Sequence, residues 1–233
     1  MKQKITYCWT HKFQKLIFNK AINRVQYELF EKSIDSALKF YDYEILVDDF
    51  SYNMIADKFD NVINVGDIKL EHADDFKVHL IENYKELNVI VDPDIIFHKK
   101  LDFNIDADVV VERDYAAYND NYKPLFDNLI KKKIDKKFPN FLLNNKMVNI
   151  GFLKINNKEV KDLYLKYYKE LKKHMSDKKI EFNYYYSVIL GQYMLSLACE
   201  NLGVTPTLMI DQHSESYTHY DGIRKSIFYK RSI

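Results

Sequence analysis

The chain is short of the features that mark several large classes of protein. Only two cysteines occur among its 233 residues, Cys8 and Cys199, and their spacing matches no metal-ligand or redox motif. We therefore expect free thiols in a reducing compartment, with a disulfide as the lesser alternative. Glycine and proline are scarce, with five and four residues, and no Gly/Ser linker, internal repeat or low-complexity tract divides the chain. This length and continuity predict a single domain over residues 1–233.

Long apolar runs and an excess of charge are also missing. No window reaches the eighteen apolar residues of a membrane span, and the N-terminal MKQKITYCWTHKFQK lacks the apolar core of a signal peptide. Basic and acidic residues number 35 and 34, giving a formal net charge of +1. No global field therefore recruits nucleic acid or an anionic membrane. We expect a soluble cytoplasmic protein in which local groups hold any anionic ligand.

What the chain does contain is an alternation of two patterns. Short β-branched runs typical of strands alternate with segments in which apolar residues recur at three- and four-residue steps, as in amphipathic helices. The predicted strands are residues 4–9, 43–49, 61–66, 88–94, 107–113 and 147–157. The predicted helices are residues 26–40, 74–84, 124–138, 161–175 and 183–203, the last with Gly203 as its C-cap. This alternation predicts an α/β fold with a mostly parallel central sheet flanked by helices.

Two aspartates interrupt the most apolar of these strands. Asp92 and Asp94 stand in the run NVIVDPDIIFH, and ligands of open α/β sheets bind beyond such carboxyl strand ends. Pro93 has no N–H and favours an extended Asp92, so strand pairing should stop there. In an extended segment both carboxylates point the same way and can converge on Mg²⁺ or Mn²⁺, which would also bind a phosphate. The spacing alone fits an acidic turn in water equally well.

Three segments in chain order carry a resemblance. They are FKVHLIENYKELNVIVDPDIIFHKKLD at residues 76–102, MVNIGFLKINN at 147–157 and THYDGIRKSIF at 218–228. Together with the first two strands, they resemble the metal-dependent glycosyltransferases of the GT-A fold, especially the glycogenin/galactosyltransferase-like group, glycosyltransferase family 8. The resemblance implies a GT-A-like domain with a nucleotide-binding half at about residues 1–113. An acceptor-side half with a C-terminal lid would occupy about residues 114–233.

The resemblance also implies a metal site. Asp92, Asp94 and His219 would hold Mn²⁺ or Mg²⁺ against the diphosphate of a nucleotide-sugar, most often a UDP-sugar, and an imidazole ligand favours Mn²⁺. His98 and His213 are rival ligands by proximity, although His98 lies four residues beyond Asp94 in an extended chain.

Further roles follow for residues outside the metal site. The candidates for contacts with the nucleotide or its phosphates are Tyr7, Asp48, Lys77, Gly222 and Lys225, and the candidates for catalysis are Asn149 and Gln192. Simpler interpretations stand beside them: Tyr7 can be core packing, Asp48 can end its strand, and Asn149 can shape a bulge. Relatives often carry a carboxylate next to the glutamine on the buried helix, whereas this chain has Gly191.

The predicted function is a metal-dependent transfer of a sugar from a nucleotide-sugar to a glycan, protein or lipid acceptor, and the resemblance leans toward a retaining reaction. Two alternatives stay open. Phosphatases of the haloacid-dehalogenase type also place Asp-x-Asp after an apolar strand, with the first aspartate as nucleophile, although usually near the N-terminus. The other is a domain of GT-A type that binds a nucleotide or glycan without catalysis.

Overall fold

A computed structural model describes residues 2–10, 20–71, 74–84, 88–143, 145–180, 184–209 and 215–220. They belong to two compact units. The first unit comprises Met1–Glu71, Glu86–Ile105 and Gln212–Ile233, and the second comprises His72–Lys85 and Asp106–Asp211. Both chain ends thus belong to the first unit, whereas the sequence suggested contiguous halves that meet near residue 113. The assignment of a single domain stays a prediction.

Strands and helices alternate through most of the chain. In chain order they are β1 Gln3–Trp9, α1 Lys20–Ala37, β2 Tyr41–Val47, α2 Asp49–Ile55, β3 Val62–Asn64, α3 Asp75–Asn83, β4 Val89–Val91, β5 Ile95–Phe97, β6 Val109–Ala116, α4 Lys123–Lys131, a 3-10 turn Ile134–Lys136, β7 Lys146–Ile155, α5 Lys158–Asp177, α6 Tyr184–Val188, a π-helical turn Ile189–Tyr193, α7 Met194–Asn201, β8 Thr207–Leu208 and β9 Tyr217–His219. The predicted mixed α/β class is confirmed.

The first unit is built on a parallel sheet with the strand order β3-β2-β1-β4. Residues 5–9 of β1 are all buried, the continuous apolar pattern of a parallel strand that is covered on both faces. From β1 the chain adds β2 and β3 on one side and then returns to place β4 on the other. The strand order therefore reverses between β1 and β4, and the crevice beyond such a reversal is where open α/β sheets bind ligands.

Helix α1 covers this sheet and also holds the short strand β5. The ring of Phe30 stacks on Trp9 with a centroid distance of 5.5 Å. Two buried serines on the same helix bond the strand: Ser33 Oγ donates to the Ile95 carbonyl, and the Phe97 N–H donates to Ser36 Oγ at 2.9 Å. These polar contacts satisfy strand groups that would otherwise be buried without partners.

The second unit has the strand order β7-β6-β8, with β6 antiparallel to β7 and parallel to β8. Helix α5 begins at an N-cap, where the side chain of Asn157 accepts from the Val160 N–H at 3.1 Å. Across the described ladders of both units parallel pairing predominates, as predicted.

The long apolar segment predicted as one helix over 183–203 contains a π-helical turn between α6 and α7. It ends as predicted, because Gly203 adopts a φ of +66° and its N–H bonds the Glu200 carbonyl. Cys8 and Cys199 are buried free thiols, as predicted, and burial raises the pKa of Cys199 to about 12. Among the described helices, none has both the length and the apolar character that crossing a bilayer requires.

Candidate metal centre and neighbouring polar sites

The two aspartates lie on a turn. Strand β4 ends at Val91, as the missing N–H of Pro93 predicts. The sequence predicted an extended segment after this strand. The structure has a four-residue turn instead, closed by a hydrogen bond from the Ile95 N–H to the Asp92 carbonyl at 3.3 Å. Proline is favoured at the second position of such a turn, where its ring fixes φ. The turn, rather than strand alternation, brings the two carboxylates to one place.

A distant segment delivers the histidine. Strand β9 pairs antiparallel with β5 so that His219 lies opposite Ile95, the residue directly after Asp94. The Tyr220 N–H also donates to the Asp94 carbonyl at 3.0 Å. At the other end of the ladder, the N–H groups of His98 and Lys99 both donate to the Ser216 carbonyl. Backbone pairing thus fixes residues 215–220 against the turn.

The resulting cluster has the spacing of a cation site. The Nε2 atom of His219 lies 3.3 Å from Asp94 Oδ1 and 3.8 Å from Asp92 Oδ2, and one ligand atom from each residue falls within 4.8 Å of the others. Adjacent ligands of an octahedral ion with bonds of about 2.1 Å lie about 3 Å apart. A small inward movement of these side chains would therefore enclose a divalent ion.

Burial strengthens this interpretation. Asp94 and His219 are 8% and 4% exposed, whereas the Asp92 side chain keeps 24% of its surface. Two carboxylates this close together repel each other, and a cation bound between them offsets the repulsion. Two carboxylate oxygens and one imidazole nitrogen suit Mn²⁺ better than Mg²⁺, which prefers oxygen ligands. The donor set therefore fits the predicted metal.

His98, one of the two rival histidines, does not join this cluster. His98 is exposed, and its Nε2 lies 2.8 Å from the hydroxyl of Thr218. His213 lies outside the described residues, as do the predicted phosphate contacts Gly222 and Lys225.

Tyr7 and Asp48, predicted to contact the nucleoside, have structural surroundings. Tyr7 is fully buried, with its ring edge-on to Phe30 and its hydroxyl 3.0 Å from Ser33 Oγ, so it offers no open face to a base. The Asp48 carboxylate caps α2: Oδ1 accepts from the Ser51 N–H at 2.9 Å and Oδ2 from the Thr10 hydroxyl at 3.1 Å. Core packing, the simpler interpretation, describes Tyr7 better. Asp48 caps a helix, a role that the sequence did not suggest, and its contact with the nucleoside stays a prediction.

Lys77 and Asn149 meet at a bulge in the second unit. Val111 pairs with Leu153 and Arg113 with Asn149, so three residues of β7 face one residue of β6. The Asn149 side chain accepts from the Gly151 N–H at 2.8 Å, and the buried Lys77 ammonium donates to the Ile150 carbonyl at 2.9 Å. Asn149 thus shapes the bulge, and Lys77 bonds a carbonyl inside it.

Gln192 lies in the π-helical turn, a geometry common at functional sites. Its side-chain oxygen accepts a hydrogen bond from the Tyr115 hydroxyl. A Cβ added at the neighbouring Gly191 would overlap the carboxyl group of Asp74, which comes from the start of α3. The Asp74 carboxyl group therefore lies against Gly191, the residue before Gln192. Gly191, which leaves room for that group, was the sequence signal for this contact.

Similarity to known proteins is found among solved structures but not among protein families or curated proteins. No protein-family model and no curated protein matches the sequence. Among solved structures, the whole chain is similar to the apo form of the glycosyltransferase GlyE of Streptococcus pneumoniae TIGR4, with 12% identity and a TM-score of 0.39. The chain spans 60% of that protein's length.

Proposed function

We propose that this protein is a metal-dependent glycosyltransferase that uses a nucleotide-sugar donor, with UDP as the nucleotide and Mn²⁺ as the ion. One observation carries the proposal: Asp92, Asp94 and His219 converge beyond the carboxyl end of β4, beside the point where the strand order reverses. Phosphate-bearing substrates bind at such reversals, and two carboxylates would repel a diphosphate without a metal ion. The motifs that resemble the GT-A glycosyltransferases agree with this assignment.

The transfer needs little covalent chemistry from the protein. An acceptor hydroxyl oxygen bonds to the anomeric carbon, the bond from that carbon to the phosphate oxygen breaks, and its electron pair leaves with the nucleoside diphosphate. The hydroxyl proton is lost, with the leaving phosphate as one acceptor if the configuration is retained. A bound divalent ion would stabilise the charge on the departing diphosphate. Asp92, Asp94 and His219 would hold that ion in place.

The first test measures binding. UDP with Mn²⁺ at one hundred times the dissociation constant should stabilise the fold by about 2.7 kcal/mol. For a chain of this length, that corresponds to a rise of about 5 to 10 °C in melting temperature. Asp92→Asn and Asp94→Asn should abolish the rise, and His219→Gln should reduce it. Asp57→Asn, a substitution of an exposed aspartate on the same unit, is the matched control and should keep it.

Two results would contradict the proposal. One is the absence of any shift with UDP or another nucleoside diphosphate in the presence of Mn²⁺. The other is hydrolysis of a generic phosphomonoester that Asp92→Asn abolishes, since this would assign Asp92 as the nucleophile of a phosphatase. A shift without sugar transfer or donor hydrolysis would indicate a binding domain that lacks catalysis.

Following the resemblance, we assign Gln192 and Asn149 to the transferred sugar. Gln192→Ala should then lower the turnover number while leaving the UDP-induced shift intact. Loss of that shift would place Gln192 at the nucleotide or in the structural core instead.

A further inference from the structure

Four tyrosines of the second unit, here called the tyrosine ledge, are at least partly exposed to solvent: Tyr115, Tyr118, Tyr122 and Tyr185. Three of them follow one another in the segment DYAAYNDNYKPLF, which leads from the end of β6 into α4, and the fourth lies on α6. The ring centroids of Tyr115 and Tyr122 are 6.4 Å apart, and those of Tyr122 and Tyr185 are 5.8 Å apart. These three rings therefore form one contiguous row.

The ledge keeps much of its apolar area in water. Tyr185 is 47% exposed and Tyr118 is 36% exposed, while Tyr115 and Tyr122 are half-buried. Large aromatic rings contribute strongly to burial energy, so solvent-facing rings in a contiguous row are a common mark of a binding surface. Scattered tyrosines would not carry this argument, but adjacent rings present one continuous face.

Hydrogen bonds hold two of the four rings, Tyr115 and Tyr118. The Tyr115 hydroxyl donates to the side-chain oxygen of Gln192, and the Tyr118 hydroxyl donates to the Asp127 carboxylate. The loop between them is ordered by Asn119, whose side-chain oxygen accepts from the Asn121 N–H at 3.0 Å. Rings held in this way lose little conformational entropy when a ligand covers them. The first hydrogen bond also connects the ledge to Gln192.

The surroundings of the rings favour one class of ligand. Polar side chains with planar or charged ends, Asn121, Asp120 and Lys123, lie exposed in the same segment, and the Lys123 ammonium lies 5.8 Å from the Tyr118 ring centroid. A sugar ring offers apolar C–H faces to an aromatic ring and hydroxyl groups to amides and carboxylates around its edge. An acyl chain would bury these polar groups without partners. A peptide strand would pair along an open strand edge, whereas only Tyr115 of the four rings comes from a strand.

We propose that the tyrosine ledge binds carbohydrate, and that the acceptor of the reaction is therefore a glycan. The second half of this statement rests on the proposed function, because a glycan on the ledge is an acceptor only if the protein transfers sugar. The first half stands alone, since it follows from the row of partly exposed rings, the hydrogen bonds of Tyr115 and Tyr118, and the polar groups beside them. The linkage from Tyr115 to Gln192 gives the ledge its place beside the residue assigned to the transferred sugar.

The test is saturation-transfer NMR on the full chain with maltotriose, cellotriose, chitotriose and lactose at millimolar concentration. At least one sugar should bind, and Tyr122→Ala and Tyr185→Ala should weaken its affinity about tenfold, as expected for the loss of one aromatic contact. Tyr185→Phe keeps the ring and should bind like the wild type. Phe50→Ala removes a ring of similar exposure, 40%, from the first unit and should change nothing.

Melting temperatures and the UDP-Mn²⁺ shift of each variant separate the two proposals. If the ledge variants lose sugar binding but keep the wild-type melting temperature and the UDP-Mn²⁺ shift, the inference is supported. Sugar binding by a protein that shows no response to any nucleoside diphosphate would support carbohydrate binding by the ledge and contradict the proposed transferase function. The absence of binding by all four sugars, or binding that the tyrosine substitutions do not affect, would overturn the inference. Tyrosine-dependent binding of dodecylphosphocholine micelles or of an unglycosylated peptide, without sugar binding, would overturn it as well.

Discussion

Two pairs of aspartates, Asp74 with Asp75 and Asp92 with Asp94, differ in the groups that surround them. In the second unit, Asp75 is 8% exposed and accepts a hydrogen bond from the Tyr168 hydroxyl at 2.9 Å. The Lys172 ammonium lies 3.0 and 3.1 Å from its two oxygens. Burial, and next the charge of Asp75, raises the pKa of Tyr168 well above its usual range, so the hydroxyl stays a donor.

In the first unit, Asp94 is equally buried but has a second carboxylate and an imidazole around it. Lys172 neutralises Asp75, whereas Asp92 and Asp94 lie together with His219, with one ligand atom of each residue within 4.8 Å of the others. The difference teaches that the partners of a carboxylate, and not its spacing from another carboxylate, separate a structural pair from a candidate metal site.

The largest expected effect comes from breaking the structural pair. Asp75→Ala should lower the free energy of unfolding by about 3 kcal/mol, because it leaves Lys172 and Tyr168 partly buried without this partner. Urea unfolding followed by circular dichroism measures the loss. Asp57→Ala should unfold like the wild type, and a Lys172→Met background should make the Asp75 substitution less costly. An Asp75→Ala loss no greater than that of Asp57→Ala would show that the pair does not stabilise the fold.

A second prediction concerns Asp74, the neighbour of Asp75 in the chain. Gly191→Ala should destabilise the protein by about 2 kcal/mol, because its methyl group would enter the space that the Asp74 carboxyl group occupies. Asp74→Gly should remove most of this cost in the double variant, and Asp74 donates no side-chain cap to α3 that would be lost. A double-mutant cycle in urea tests the coupling. Additive effects would mean that the two residues do not compete for this space.

A smaller effect is expected at the N-cap of α2. Asp48→Ala should cost about 1 kcal/mol, because the Ser51 N–H loses its capping acceptor, whereas Asp48→Asn can still cap the helix and should cost less. Neither variant should change the UDP-induced shift in melting temperature beyond its own effect on the fold. Weaker UDP binding by the well-folded Asp48→Asn variant would return Asp48 to the nucleotide site.

The smallest effect should come from the metal centre when no metal is present. Asp92→Asn in EDTA should leave the free energy of unfolding within about 0.5 kcal/mol of the wild type, because neutralising one carboxylate also relieves its repulsion with the other. This sets Asp92 apart from Asp75, whose loss is felt without any ligand. Equal losses for Asp92→Asn and Asp75→Ala in EDTA would remove the distinction between the two pairs.

Much of the architecture followed from local patterns, because strand and helix periodicities depend on nearby residues. The β-branched runs located β1, β2 and β4, Pro93 ended β4, and Gly203 ended the last long helix, each through conformational limits of a few residues. The run of π-helix at Ile189–Tyr193 was not foreseen, since its period differs little from that of an α-helix over five residues.

The sequence by itself determined the α/β class, the end of β4 and the pairing of two carboxylates around Pro93. Tertiary structure decided their meaning. Only the antiparallel pairing of β9 with β5 brings His219 to Asp94 across more than a hundred residues. Only packing buries Tyr7 in the core and places Asp74 beside Gly191. Local sequence limits backbone conformation, whereas the partner of a charged side chain depends on contacts between segments far apart in the chain.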